Sequence, residues 1–107
     1  MAVEITAPEA AALLGRGGVR LVDCREADEH ALCRIEGAEL IPLSIFSQAA
    51  PAALKDRGEP IILYCHAGVR SARAADYLTQ LGYTQVRSLR GGIDAWSAEV
   101  DPEVPRY

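Results

Sequence analysis

Three things are scarce in this sequence of 107 residues: cysteine, excess positive charge and long apolar runs. The cysteines are Cys24, Cys33 and Cys65, with no CxxC pair and no Cys/His repeat. Neither a disulfide framework nor a metal site is indicated by that spacing. Eleven Lys and Arg stand against 15 Asp and Glu, a formal net charge of -4. A nucleic-acid grip needs a basic face, so nucleic acid is excluded as a partner, and a polybasic membrane contact with it. No apolar run approaches the roughly 20 residues of a membrane span. The start, Met1-Ala2-Val3-Glu4, lacks the basic opening and apolar stretch of a signal peptide. A reduced, cytoplasmic domain is the expectation.

What is present reads as one domain over residues 1–107, large enough to bury a core without disulfides. Strand and helix signals alternate along it. Val3 to Ile5 is extended, and Thr6 with Glu9 forms a capping box for a helix over 7–14 that stops at Gly15. Val19 to Asp23 reads as a strand, Glu26 to Leu32 as a short helix, and Glu39 to Ile41 as a small strand closed by Pro42. Ser44 caps a helical stretch near 45–54, interrupted by Pro51. Ile61 to Tyr64 is apolar without alternation, the pattern of a strand buried on both faces. Ser71 to Leu81 is the clearest helix, ended by Gly82. Val86 to Leu89 is a further strand, Gly91-Gly92 a turn, Ile93 to Ala98 a last helix, and 101–107 an extended tail. Such alternation implies an α/β fold, a small parallel sheet of about five strands with helices on both faces.

Ligands bind such sheets where strands end and helices begin. Two loops qualify, the one after Asp23 and the one after Tyr64. The second is the richer. Cys65 ends the buried strand, and His66-Ala67-Gly68-Val69-Arg70-Ser71 leads straight into helix-forming sequence. A thiol there faces a helix N-terminus whose first N–H groups have no helical partners, and these favour an anion. Only the thiolate is a nucleophile. Gly68 permits a tight turn at positive φ. Arg70 opposes the helix dipole in the first turn, which argues for a purpose beyond solvation. His66 is a proton shuttle, a second donor to an anion, or an exposed loop residue. Asp23 and Arg25 read as a structural ion pair bracing the neighbouring loop, with direct catalysis the lesser reading.

Four segments in order make the sequence resemble the rhodanese family over nearly its whole length. They are Leu21-Val22-Asp23-Cys24-Arg25-Glu26, Ile35-Glu36-Gly37-Ala38-Glu39-Leu40-Ile41-Pro42, Tyr64 to Ser71, and Leu89-Arg90-Gly91-Gly92-Ile93-Asp94-Ala95-Trp96. Val100-Asp101-Pro102 and Pro105-Arg106-Tyr107 look like the rhodanese domain fused to enzymes that activate ubiquitin-like sulfur carriers. Cys33-Arg34-Ile35 stands where many members carry Gly-His-Ile, a change that this subgroup tolerates. The resemblance implies a sulfurtransferase without a cofactor, working through a covalent persulfide on Cys65. His66, Ala67, Gly68, Val69, Arg70 and Ser71 match its persulfide-binding loop. Implied partners are thiosulfate or a persulfide donor protein, and a ubiquitin-like sulfur carrier as acceptor. Arg70 would steer anionic thiosulfate or hold the departing sulfite.

Two other readings compete. A cysteine loop closed by Arg also suits a phosphatase or arsenate reductase, but those loops are one residue longer than the four residues, 66–69, found here. A non-catalytic docking module would most simply have lost its cysteine, and Cys65 is present. Cys24 and Cys33 read as buried packing rather than resolving thiols, since no spacing places either near Cys65.

Overall fold

A computed structural model describes residues 2–107. Five strands, all parallel where they pair, form one sheet in the order β1-β5-β4-β2-β3. They are β1 (Glu4–Ile5), β2 (Arg20–Asp23), β3 (Glu39–Leu40), β4 (Ile61–Tyr64) and β5 (Val86–Leu89). The helices are α1 (Ala7–Arg16), α2 (Ala27–Leu32), α3 (Phe46–Ala53), α4 (Val69–Gln80) and α5 (Gly92–Glu99), with a 3-10 turn at Leu43–Ile45.

The sheet divides two apolar layers. On one face, Val22, Ile61 and Leu63 pack with Phe46 and Ala50 of α3 and Ala74, Ala75 and Leu78 of α4. On the other, Leu21, Ile62, Tyr64 and Leu89 meet Ala7 and Ala10 of α1 and Ile93 and Trp96 of α5. All four residues of the central strand β4 are buried, so its lack of alternation reflects helices on both sides.

Local chemistry explains most element ends, and it corrects several boundaries. The capping box forms: the Glu9 N–H donates to Thr6 Oγ1 at 3.3 Å and the Thr6 N–H to Glu9 Oε1 at 3.0 Å. However, α1 runs through Gly15 and stops at Gly17, which has φ +78°. Ser44 caps no helix. Its hydroxyl donates to Glu26 Oε1 at 2.7 Å, tying the 3-10 turn to the loop after β2. Pro51 lies inside α3, which ends two residues later at Ala53. Helix α4 starts at Val69 rather than Ser71, because Gly68 takes the left-handed conformation (φ +102°) and turns the chain directly into it. The tail is not extended throughout. Val104 bonds back to Asp101, Ser97 Oγ donates to Val104 O at 2.6 Å, and Tyr107 returns to the C-terminal edge of the sheet.

Candidate active site

β4 delivers Cys65 to the carboxyl end of the sheet, and α4 begins four residues later. Cys65 is 1% exposed, so its sulfur is almost wholly enclosed. Two backbone groups face that sulfur: the N–H of Gly68 at 3.1 Å and that of Ser71 at 3.4 Å. Both belong to the turn entering α4, where N–H groups lack helical partners. Ser71 Oγ lies 3.5 Å from Cys65 Sγ and 2.7 Å from Ser88 Oγ, so a buried hydroxyl pair closes the floor. Charge placed on this sulfur would be met by fixed dipoles rather than by water.

A second helix holds the loop from behind. At the start of α5 the N–H of Ile93 donates to Cys65 O at 2.9 Å, and that of Asp94 to His66 O at 3.1 Å. These bonds need backbone to approach backbone. A Cβ on Gly92 would collide with the carbonyl oxygens of Cys65 and His66. One on Gly68 would press on the Gly91 nitrogen at 3.1 Å. Gly91-Gly92, a turn by sequence, is thus part of the wall that shapes the cysteine loop.

The two loops singled out by sequence meet at Arg70. Its guanidinium grips Glu29 of α2 with two bonds of 2.7 and 2.8 Å. Those bonds hold the Glu29 carboxyl down to about 2, against partial burial that opposes ionisation. Arg70 is raised in turn, and a Cys65 thiolate adds to that effect. Tyr107 extends the chain of contacts. Its hydroxyl donates to Glu29 Oε2 at 2.8 Å and accepts from Arg25 Nη1 at 2.9 Å. Its ring stacks on His66 with centroids 4.1 Å apart, so His66 is covered by the tail rather than left free in the loop. Ala67 and Val69 bring no polar side chain to the sulfur, and Val69 is exposed.

Asp23 and Arg25 form the expected ion pair, with no exposure of either side chain. Asp23 accepts from the Arg25 N–H at 3.0 Å, from Nε at 2.9 Å and from Nη2 at 2.7 Å, and pairs with His30 Nδ1 at 2.8 Å. Burial works against its charge, but the Arg25 and His30 bonds prevail and keep the carboxyl low. Arg25 also donates to Cys33 O at 2.5 Å and lies over the Tyr64 ring. Cys33 and Tyr64, against which Arg25 lies, belong to the apolar layer on the sheet face opposite Cys65.

Sequence reasoning gave no role to Glu29, placed Gly92 in a turn and Tyr107 in an extended tail, and read Cys24 as buried packing away from Cys65. For Glu29 a signal existed: an acid three positions after Glu26 at the start of a short helix, the spacing of a capping box. Cys24 needed the strand order, which places β2 beside β4. Among the described residues, no three His, Cys, Asp or Glu side chains converge to hold a metal. No helix among them is long and apolar enough to cross a membrane.

Comparison with known proteins shows the family and the fold. The family model of the Rhodanese-like domain matches residues 6–99. Over 87 residues the chain is 34% identical to the probable adenylyltransferase/sulfurtransferase MoeZ of Mycobacterium tuberculosis, which covers 81% of this chain and 22% of that protein. The chain therefore spans about a fifth of the length of MoeZ. It is 36% identical to the thiosulfate sulfurtransferase GlpE of Pseudomonas paraeruginosa, covering 84% of this chain and 80% of GlpE. Among solved structures, the human single-domain sulfurtransferase TSTD1 superposes with a TM-score of 0.83 at 30% identity, covering 92% of this chain and 98% of that one.

Proposed function

Because the chain belongs to the rhodanese-like family, we propose that it is a sulfurtransferase in which Cys65 carries the sulfur as a persulfide. The observation that supports this most is the pair of N–H groups, from Gly68 and Ser71, aimed at a buried sulfur. In the first step the Cys65 thiolate attacks the outer sulfur of thiosulfate or of a persulfide donor. An S–S bond forms on Cys65, the donor's S–S bond breaks, and sulfite or the donor thiolate leaves. In the second, a thiophilic acceptor attacks the outer sulfur and Cys65 departs as thiolate. The two N–H groups stabilise the sulfur anion before and after each displacement.

Arg70 lends the mouth of the loop a positive charge, and Glu29 holds that charge in place. A dianion such as thiosulfate would be drawn to the cation yet would meet the carboxylate beside it. Asp23 and Arg25 position the neighbouring loop and touch no reacting atom. The acceptor class we favour is a ubiquitin-like sulfur carrier, which the resemblance of the C-terminal segment supports. The short loop disfavours phosphoryl transfer, since four residues between Cys65 and Arg70 present fewer N–H donors than a tetrahedral oxyanion requires.

Steady-state transfer from thiosulfate to cyanide tests the reading. The wild-type protein should release sulfite and thiocyanate in equal amounts, and Cys65→Ser should release neither while keeping its fold. Thiocyanate formation that survives in Cys65→Ser would move the chemistry off this residue.

A further inference from the structure

Sulfur transfer needs one thiol at this site, and the fold places a second beside it. β2 and β4 are neighbouring parallel strands with Asp23 opposite Tyr64. The ladder continues one residue further, the Cys24 N–H donating to Tyr64 O at 3.0 Å. Cys24 and Cys65 therefore stand side by side at the strand ends, both in the layer of Val22 and Leu63. Neighbouring strands lie about 4.8 Å apart, inside the roughly 4.4–6.8 Å range of Cα separations in disulfides. Cys33 sits on the opposite face, its sulfur 3.9 Å from Arg25 Nη1. The sheet thus pairs Cys65 with Cys24 and keeps Cys33 away.

We infer that Cys24 and Cys65 form an oxidative modification site, at which a peroxide oxidises Cys65 and Cys24 resolves the product to an intramolecular disulfide. The Cys65 thiolate attacks one peroxide oxygen, the O–O bond breaks, and hydroxide leaves behind a sulfenic acid. The Cys24 sulfur then attacks the Cys65 sulfur. The Cys24 proton passes to the sulfenic oxygen as its thiolate attacks, so that an S–S bond forms, the S–O bond breaks, and the oxygen leaves as water. Overall the peroxide takes two electrons, one from each sulfur.

The surroundings divide the roles. The N–H groups of Gly68 and Ser71 favour the anion on Cys65. Cys24 is wholly buried and its S–H donates to Tyr64 O at 3.3 Å. Burial, and next the charge of Cys65, push the Cys24 thiol up. Cys24 therefore keeps its proton until Cys65 has become a neutral sulfenic acid, and then gives that proton to the sulfenic oxygen and attacks as the thiolate. The disulfide, which a thiol reductant reopens, halts Cys65 short of the irreversible sulfinic acid. None of this depends on which sulfur donor or acceptor the protein uses.

Peptide mapping after hydrogen peroxide treatment, alkylation of the remaining thiols and non-reducing trypsin digestion tests the site. Trypsin separates the three cysteines into Leu21–Arg25, Glu26–Arg34 and Gly58–Arg70. The wild type should yield Leu21–Arg25 joined to Gly58–Arg70, with Cys33 alkylated. In Cys24→Ser and Cys24→Ala, circular dichroism confirming the fold, Cys65 should gain about 32 Da as sulfinic acid that dithiothreitol does not remove. The irreversibly oxidised fraction should rise several-fold over wild type. Alkylatable Cys24 in fully oxidised wild type, a link to Cys33, or equal irreversible oxidation of Cys65 with and without Cys24 would each overturn the inference. Should neither variant fold, the wild-type linkage map alone decides.

Discussion

The loops after β2 and β4 leave adjacent strands at the same edge, yet they are held by opposite means. The first is held by side chains: Asp23, Arg25 and His30 lock one another, and Arg25 reaches on to Cys33 and Tyr107. The second is held by backbone: N–H groups of α4 and α5 grip Cys65 and His66, with glycines allowing the approach. The difference follows from what each must present. A buried ion pair gives rigidity but keeps its charges for itself. Two backbone dipoles aimed at a sulfur can meet a change in its charge while their own positions stay fixed. The first loop braces, and the second carries the proposed chemistry.

Breaking the brace should cost the most stability. Asp23→Ala leaves the fully buried Arg25 without its carboxylate, and removing one partner of such a pair costs about 3–5 kcal/mol. Urea denaturation should register that loss. A loss below 1 kcal/mol would mean that Arg25 is held by its other partners and that the brace is not ionic. Next comes Gly92→Ala, which drives a methyl group into the Cys65 and His66 carbonyls. A displaced backbone of this kind costs about 1–3 kcal/mol, and sulfur transfer should fall by more than stability does. Equal, small effects on both would show that α5 does not shape the loop.

Arg70→Ala sharpens the comparison from the reactive side. The KM for thiosulfate should rise by about 1.5 kcal/mol, roughly tenfold, the lower end for a bond to a charged group because Glu29 already occupies the guanidinium. Transfer from a protein persulfide, docked over a larger surface, should suffer less, and equal losses would assign Arg70 to shaping the loop. Smallest is the pH effect of the Glu29–Arg70 tie that links the loops. Glu29 is lowered from 4.5 to about 2 on folding. The pair's contribution is therefore fully present above pH 4.5 and disappears as pH falls through about 2. For this partly exposed pair, melting curves of wild type and Glu29→Gln should differ by about 1 kcal/mol or less at pH 6 and converge near pH 2. A constant difference across that range would place the contribution elsewhere.

The brace and the cysteine loop were also unequally legible in the sequence. Apolar Ile61 to Tyr64 ending at Cys65, with Gly68 and a helix behind it, was enough to place the candidate nucleophile between strand and helix, because strand, turn and helix are local patterns. The pairing of Asp23 with Arg25 was legible because the two are neighbours in sequence. What stayed hidden depends on contacts between distant segments. Tyr107 reaches Arg25 across 82 residues, Arg70 reaches Glu29 across 41, and Cys24 meets Cys65 only through the strand order. Boundaries slipped for a related reason. Ser44 looks like a helix cap until Glu26, brought in by the fold, takes its hydroxyl. A left-handed Gly68 likewise starts α4 two residues before the helical composition does.

The central claim is that Cys65 itself carries the sulfur between donor and acceptor. Mass analysis of the tryptic peptide Gly58–Arg70 after incubation with thiosulfate tests it most directly. One added sulfur, about 32 Da, should be found on Cys65, removed by dithiothreitol or by an acceptor, with Leu21–Arg25 and Glu26–Arg34 unchanged. An unmodified Gly58–Arg70 peptide in a protein that nevertheless turns over thiosulfate would contradict the account.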